Sequence, residues 1–261
     1  MHDHVIVITG ASAGIGAAVA ELAVQRGARV VLAARRTHEL NELAVKLGGP
    51  ARAHVVQTDV TRRADNEALR DAALAAFGQI DAWVANAGRG ISRMVSELTD
   101  ADIDDMITVN LKSVLYGIQA VLPHFKERKR GQIVAVSSGL SRFPFVPQRS
   151  AYSASKAAVN LLMASLRGEL RPMFPDIWAT TVFPGIVATE FGVNALHGGV
   201  DNATLPGAQP VGEVAQVIVD VIEKPRAEVY TRPQMRQLAE KYFSAEDVAE
   251  IEKGFGPPPP R

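Results

Sequence analysis

The sequence predicts an α/β fold: a doubly wound, mostly parallel sheet of seven strands with helices on both faces, in a single domain. Three observations predict it. Apolar runs of strand length alternate along the chain with stretches of helical period. The first run, Val5 to Ile8, is continuously apolar, as a strand buried on both faces requires. The first run leads straight into a glycine loop that opens a helix, "HVIVITGASAGIG".

The element order follows from these patterns. Val5-Ile6-Val7-Ile8 form the first strand, and Ile15, Val19, Leu22 and Ala23 recur at helical spacing behind the glycines. Further strands are predicted at Arg29 to Ala33, Ala53 to Gln57, Ile80 to Ala85, Gln132 to Val136, Ile177 to Phe183 and Glu228 to Thr231. Between them lie helical patterns at His38 to Lys46, Asp65 to Phe77, Asp102 to Glu127, Ser150 to Met173 and Gly212 to Glu223. Strict β-α alternation with short connections implies parallel strands, with the ligand site at their carboxyl ends. One stretch resists the alternation. Residues 185–210, rich in Gly, Asn and Pro, follow a strand's carboxyl end and are placed to cover the site as a substrate loop. The domain is expected to span residues 1–254, with 255–261, "FGPPPPR", as a flexible proline-rich tail.

Composition narrows the function. In 261 residues, 47% are hydrophobic and 21% charged, an ordinary globular balance. Net charge is zero, so no global basic field draws nucleic acid or an anionic membrane. The run "KERKRG" (Lys126 to Gly131) reads as a solvated helix end whose cations complement the helix dipole. No cysteine is present, and the six histidines show no zinc-binding spacing, so no metal site is expected. No charged-then-apolar leader and no membrane-length apolar stretch occur, which makes a cytoplasmic protein the expectation.

The chemistry-bearing residues gather at one sheet edge. Gly10, Gly14 and Gly16 follow the pattern T-G-x-x-x-G-x-G at a helix start, where unpaired N–H groups and the dipole favour a phosphate. Asp59-Val60 and Asn86-Ala87-Gly88 each follow a predicted strand on the same edge, although Asp59 would also suit a cap and Asn86 a tie between turns. The second strand ends "VVLAARR". A carboxylate there would bind a ribose 2′-hydroxyl, whereas Ala34 followed by Arg35 and Arg36 suits a 2′-phosphate, favouring NADP over NAD. In "SAYSASKAAVNLL", Tyr152 and Lys156 share a helix face. At about 4 Å and an effective dielectric near 20, their attraction would be about 4 kcal/mol, a ceiling near 3 pKa units before desolvation. Ser137 and Ser138 add hydroxyls at the same edge.

Taken together, TGASAGIG, NAG, Tyr-x-x-x-Lys and "FPGIVAT" resemble the short-chain dehydrogenase/reductase family over nearly the whole chain. The resemblance implies a Rossmann-type fold and assigns roles. Tyr152 becomes the acid/base, Lys156 its pKa modifier and a ribose ligand, and Ser138 the group that polarises the substrate oxygen. Asn110, in "MITVNLKS", shapes a helix and anchors a water of the proton relay. Gly10, Ser12, Gly14, Ile15 and Gly16 belong to the cofactor, with Arg35, Arg36, Asp59, Val60, Asn86, Ala87 and Gly88. Pro184-Gly185, Val187 and Thr189 would meet the nicotinamide carboxamide. Two departures stand out. The Ser138–Tyr152 spacing is one residue longer than in many members, leaving Ser137 a weaker candidate, and Ala13 replaces a basic residue that many NADP-using members carry.

The expected function is hydride transfer between NADP(H), or alternatively NAD(H), and a carbonyl or secondary alcohol of a hydrophobic small molecule. Met94, Phe143, Phe145, Val146, Phe191 and Leu196 are candidates for its pocket. A non-catalytic NADP-binding sensor and a 3-ketoacyl-carrier-protein reductase are the competing readings, the latter using Arg128, Lys129, Arg130 and Arg171 for docking. A homo-oligomer, tetramer or dimer, is expected from the resemblance.

Overall fold

The computed structural model describes residues 1–143 and 145–254; the tail expected at 255–261 lies outside the described residues. Seven strands form one parallel sheet: β1 (Val5–Thr9), β2 (Arg29–Ala34), β3 (Ala53–Gln57), β4 (Ala82–Ala85), β5 (Gly131–Val136), β6 (Ile177–Phe183) and β7 (Glu228–Tyr230). Their order in space is β3-β2-β1-β4-β5-β6-β7. The order reverses between β1 and β4, so a crevice opens at the carboxyl ends of these two strands.

Both sheet faces are covered, which explains the continuously apolar runs. Ile6, Ile8, Val30 and Leu32 point to one face and pack with α1 (Gly14–Gln25), α2 (Thr37–Lys46) and α7 (Val211–Glu223). Val5, Val7, Val31 and Ala33 point to the other, against α3 (Arg63–Phe77), α5 (Ser113–Arg128) and α6 (Ser150–Leu170). Successive side chains of a strand alternate between the two faces, so each strand feeds both cores.

The structure departs from the sequence reading in three places. The long helix expected from Asp102 to Glu127 is α4 (Asp100–Met106), a π-helical turn over Ile107–Lys112, and α5. Thr99 and Asp102 close a capping box at the start of α4, which moves its beginning forward. Second, α6 ends at Leu170, three residues before the expected Met173. Third, α8 (Pro233–Ser244) and α9 (Val248–Glu252) follow β7 where no helix was expected. The signal for α8 was present: Pro233 in the first turn, then Met235, Leu238, Ala239 and Tyr242 at helical spacing.

The glycine loop owes two of its three glycines to the protein itself. A Cβ on Gly16 would overlap the Gly10 carbonyl oxygen and lie 2.8 Å from the Asn86 amide nitrogen, and one on Gly10 would lie 2.9 Å from the Ala87 Cα. Gly10 and Gly14 also hold φ of 67° and 56°. Gly16→Ala should therefore destabilise by about 1–3 kcal/mol through overpacking against held backbone. Gly212→Ala on α7, where a Cβ meets nothing within 4 Å, should stabilise by about 0.4–1 kcal/mol. Thermal unfolding of the two variants should show midpoints moving in opposite directions.

Candidate active site

The crevice is tied together by short polar contacts. The Thr9 hydroxyl donates to the Val84 carbonyl (3.3 Å) and accepts from the backbone N–H groups of Asn86 and Ala87 (3.1 Å each). Asn86 donates its amide to the carbonyls of Thr9 (3.0 Å) and Gly10 (3.3 Å). Its side chain thus fixes the glycine loop against β4. Beyond the loop, α1 begins without a side-chain cap and without an acidic residue in its first turn. Its first N–H groups, on Ile15 and its neighbours, face the crevice mouth with the positive end of the dipole.

At the end of β2, Arg36 donates to the Ser12 hydroxyl at 3.0 and 3.3 Å and pairs with Glu39 at 3.4 Å. Arg35 is exposed beside it, and Ala34 closes the strand with little exposure. Asp59 spends its carboxylate on its own turn, accepting from the Thr61 N–H (3.0 Å) and hydroxyl (2.7 Å). Burial pushes Asp59 up, but the Thr61 bonds and the charges of Arg35 and Arg62 hold it below the usual carboxylate range. The Val60 carbonyl accepts from Asn66 at 3.0 Å.

The reactive cluster sits on the inward face of α6. Tyr152 and Lys156 are 7% and 3% exposed, although each carries a group that normally seeks water. Burial raises the Tyr152 pKa above the usual tyrosine value, opposed by a hydrogen bond with Ser138 and by the charge of Arg149. Burial pulls Lys156 down to about 8. The Lys156 ammonium donates to the Val136 carbonyl at 2.8 Å. A Cβ on Gly88 would lie 3.3 Å from that nitrogen and 3.1 Å from the Asn110 Oδ1, so the absent side chain keeps this corner open. The four-residue spacing brings Tyr152 and Lys156 to one buried face of α6, where the charge of Arg149 also favours the ionised phenol.

Ser138 rather than Ser137 meets Tyr152. Ser137 turns away, donating to Asn160 (2.6 Å) and the Lys156 carbonyl (3.3 Å) behind the helix. Asn110 lies in the π-helical turn, fully buried. Its Oδ1 accepts from the Arg89 N–H (2.9 Å), and its amide donates to the Arg89 carbonyl (3.0 Å) and to the Ser155 hydroxyl (3.1 Å). Ser155 in turn donates to the Tyr152 carbonyl at 2.7 Å, so Asn110 positions the helix turn carrying the phenol. A π turn at such a place re-aims a side chain that a regular helix would bury elsewhere.

The segment over residues 185–210 folds back across the site. The Pro184 carbonyl accepts from the Gly139 N–H at 2.8 Å, and Gly185 starts the segment. Val187 bridges to Gln209, and the Thr189 methyl lies 3.2 Å from where a Cβ on Gly14 would be. Phe191 packs on Tyr152 with ring centroids 5.4 Å apart. Leu196 bridges to Ile91, and His197 pairs at 2.6 Å with Asp102 on α4. Asp102 also accepts from Arg93 at 2.9 Å; these bonds, His197 foremost and then Thr99, hold its carboxyl well below the usual range.

The six apolar pocket candidates separate. Phe191 and Leu196 pack with Tyr152. Met94, Phe143 and Val146 instead line a groove of about 880 Å³ with Ser150, Ala154 and Ala157, on the opposite face of α6 from Tyr152. Phe145 stacks on Phe143 at 5.3 Å. The basic run is also remote within one chain: it precedes β5 at the amino edge of the sheet, and Arg128 is spent on Asp81 at 3.1 Å. Two residues near the site had drawn no attention. Met235 of α8 packs against Gly139 and Gly185, and Arg149, at the start of α6, shares the corner at Gly90 with Phe191, which packs on Tyr152.

Residues 4–198 match the family model of the short chain dehydrogenases. An uncharacterized oxidoreductase of Listeria monocytogenes is 41% identical over 191 residues, covering 72% of this chain and 76% of its own. Among solved structures, a short chain dehydrogenase/reductase from Burkholderia phymatum in complex with NAD superposes with a TM-score of 0.84 at 26% identity, covering 100% of this chain and 98% of its own. An alcohol dehydrogenase from the archaeon Thermococcus sibiricus, complexed with 5-hydroxy-NADP, gives 0.75 at 28% identity, covering 87% and 95%. With the parallel sheet, the glycine crevice and the Ser138–Tyr152–Lys156 cluster in place, these likenesses agree: the chain belongs to the short-chain dehydrogenase/reductase family of oxidoreductases.

Proposed function

We propose that the protein moves hydride between NADP(H), with NAD(H) the weaker partner, and the carbonyl or secondary alcohol of a small molecule. One observation carries this reading: a buried phenol and hydroxyl, Tyr152 and Ser138, hydrogen-bonded to each other beside a buried ammonium that a single carbonyl partners. A purely structural core has no use for such a set, because each buried polar group costs free energy unless fully paired.

The residues present fit a nicotinamide dinucleotide. The uncapped N-terminus of α1 suits the pyrophosphate, with Gly10, Ser12, Gly14 and Gly16 leaving its backbone approachable. Arg35 and Arg36 offer guanidinium groups to a 2′-phosphate, and Ala34 adds no repelling carboxylate. Lys156 and the open corner at Gly88 suit a ribose, and Asn86-Ala87 with Asp59-Val60 would border the adenine. Pro184, Gly185, Val187 and Thr189 would meet the carboxamide. When bound, this cofactor supplies or accepts the hydride.

The chain's own residues handle the proton and the orientation. A substrate oxygen placed between Ser138 and Tyr152 accepts two hydrogen bonds, which polarises the carbonyl. The raised pKa keeps Tyr152 protonated at neutral pH, as a proton donor in reduction requires. Ser138 and the nearby cations then stabilise the phenolate left behind. Phe191 packs over this corner and excludes water from it.

Relatives bind either nicotinamide cofactor, so the preference rests on the end of β2. Exposed Leu161, Met94 and Val95 along the outer face of α6 and its neighbouring groove support assembly into a homo-oligomer. Among the described residues, no helix is long and apolar enough to cross a membrane. Following nicotinamide absorbance with NADPH and a panel of ketones tests the reading. Oxidation that depends on the ketone is expected; bound NADPH with no turnover across the panel would favour a sensor instead.

A further inference from the structure

We infer that Arg149 is a specificity-determining residue that receives a carboxylate on the substrate, so that the preferred substrates are short oxo acids or hydroxy acids. The inference deepens the hydride-transfer reading and rests on it for the position of the reacting carbonyl. Three features of Arg149 support it.

The first is location. Arg149 is the N-cap residue of α6, one helical turn before Tyr152, and its Nη1 and the Phe191 ring that packs on Tyr152 each lie 2.9 Å from the Cβ position of Gly90. A group bound by Arg149 therefore lies beside the group that donates the proton. The second is a cradle built for the guanidinium. Its Nη1 donates to the Ile91 carbonyl at 3.1 Å. A Cβ on Gly90 would lie 2.9 Å from Nη1, and one on Gly199 3.1 Å from Nη2, so a side chain at either position would displace the planar head. Gly90 lies just beyond β4 and Gly199 lies in the 185–210 segment. Phe191, which packs on Tyr152, also lies 2.9 Å from the Gly90 Cβ position. The cradle thus joins the three segments that surround the phenol.

The third feature is charge. The guanidinium is partly buried, and no carboxylate pairs with it among the described residues. Its neighbours are paired: Arg89 with Asp105 at 3.4 Å, Arg93 with Asp102 at 2.9 Å, Arg142 with Glu228. Lys156 is committed to the Val136 carbonyl and, in the hydride-transfer reading, to the ribose, which leaves Arg149 as the cation beside Tyr152 for one negative charge on the substrate. A carboxylate fits both the charge and the planar fork of the guanidinium, whereas a phosphate dianion would call for a second unpaired cation.

The test compares short oxo acids, from 2-oxo to 4-oxo, with their methyl esters, using the parent enzyme and Arg149→Gln. The glutamine keeps a donor for Ile91 and removes the charge. The ratio of kcat/KM for acid over ester cancels any general effect on Tyr152. It should favour the acid in the parent and fall roughly tenfold to hundredfold in the variant, the loss of one charged hydrogen bond. Arg149→Lys should recover only part of it, because the fork is gone. A ratio that does not move, or a parent that prefers the ester, overturns the inference. A second readout needs no turnover: calorimetric binding of a short hydroxy acid to the NADPH-loaded protein, expected in the parent and lost in Arg149→Gln. Acid binding that depends on Arg149 without turnover of any substrate would keep the anion site and sink hydride transfer. Turnover of neutral ketones with no Arg149-dependent acid binding would do the reverse.

Discussion

Tyr152→Phe is expected to lower turnover at least about 100-fold, the scale of general acid-base catalysis, while NADPH still binds. Only the phenolic oxygen is lost. The ring keeps its packing against Ile91, Met106 and Phe191, so the variant should unfold at nearly the parent temperature. Ser138 would retain the Leu140 N–H that its hydroxyl accepts at 3.2 Å, so the site should not collapse. Steady-state rates together with a fluorescence titration of NADPH separate the two effects. Near-normal turnover in this variant would sink Tyr152 as the proton donor.

The second large effect concerns the end of β2. Ala34→Asp combined with Arg35→Ala removes one guanidinium and places a carboxylate beside the 2′ position, repelling a phosphate and accepting from a ribose hydroxyl. Loss of one charged contact alone corresponds to roughly a tenfold to hundredfold fall in kcat/KM for NADPH, and the repulsion adds to it. The preference ratio of NADPH to NADH should fall accordingly, measured at matched ionic strength because the interaction is screened. Arg36 remains in this variant and stays anchored to Ser12, so the glycine loop is not disturbed. A parent that already prefers NADH, or a ratio that stays put, would remove Arg35 from cofactor recognition.

The sheet was legible because its signal is local. Runs such as Val5–Thr9 and Ala82–Ala85 bury apolar side chains on both faces. The spacing that puts Tyr152 and Lys156 on one face is likewise a property of a single helix. Contacts made across the fold were not legible. Gly10 and Gly16 read as space for a ligand, yet Asn86 and Ala87, 70 or more positions away, already press against them. Arg149 stood out in no pattern, because its meaning comes from Gly90 and Gly199 on two other segments. Phe143 and Val146 looked like pocket walls and face the far side of α6, since composition does not say which way a loop turns. The break in the Asp102 to Glu127 helix was hidden for a related reason: a π turn preserves apolar residues and shifts only their phase.

That phase shift makes chain length itself part of the site. A π turn carries one residue more than a regular helix of the same span, and each residue turns an α-helix by about 100°. Deleting one residue between Ile107 and Lys112 would let α4 and α5 fuse into one uninterrupted ladder. The half carrying Asn110 would then rotate by more than a quarter turn, or α5 would lose its seat on the sheet. Such a deletion mutant would retain most of the amino acids of the reactive cluster and lose the link from Asn110 through Ser155 to Tyr152. Insertions and deletions in this six-residue stretch, more than substitutions flanking it, therefore mark where a descendant of this sequence would stop working.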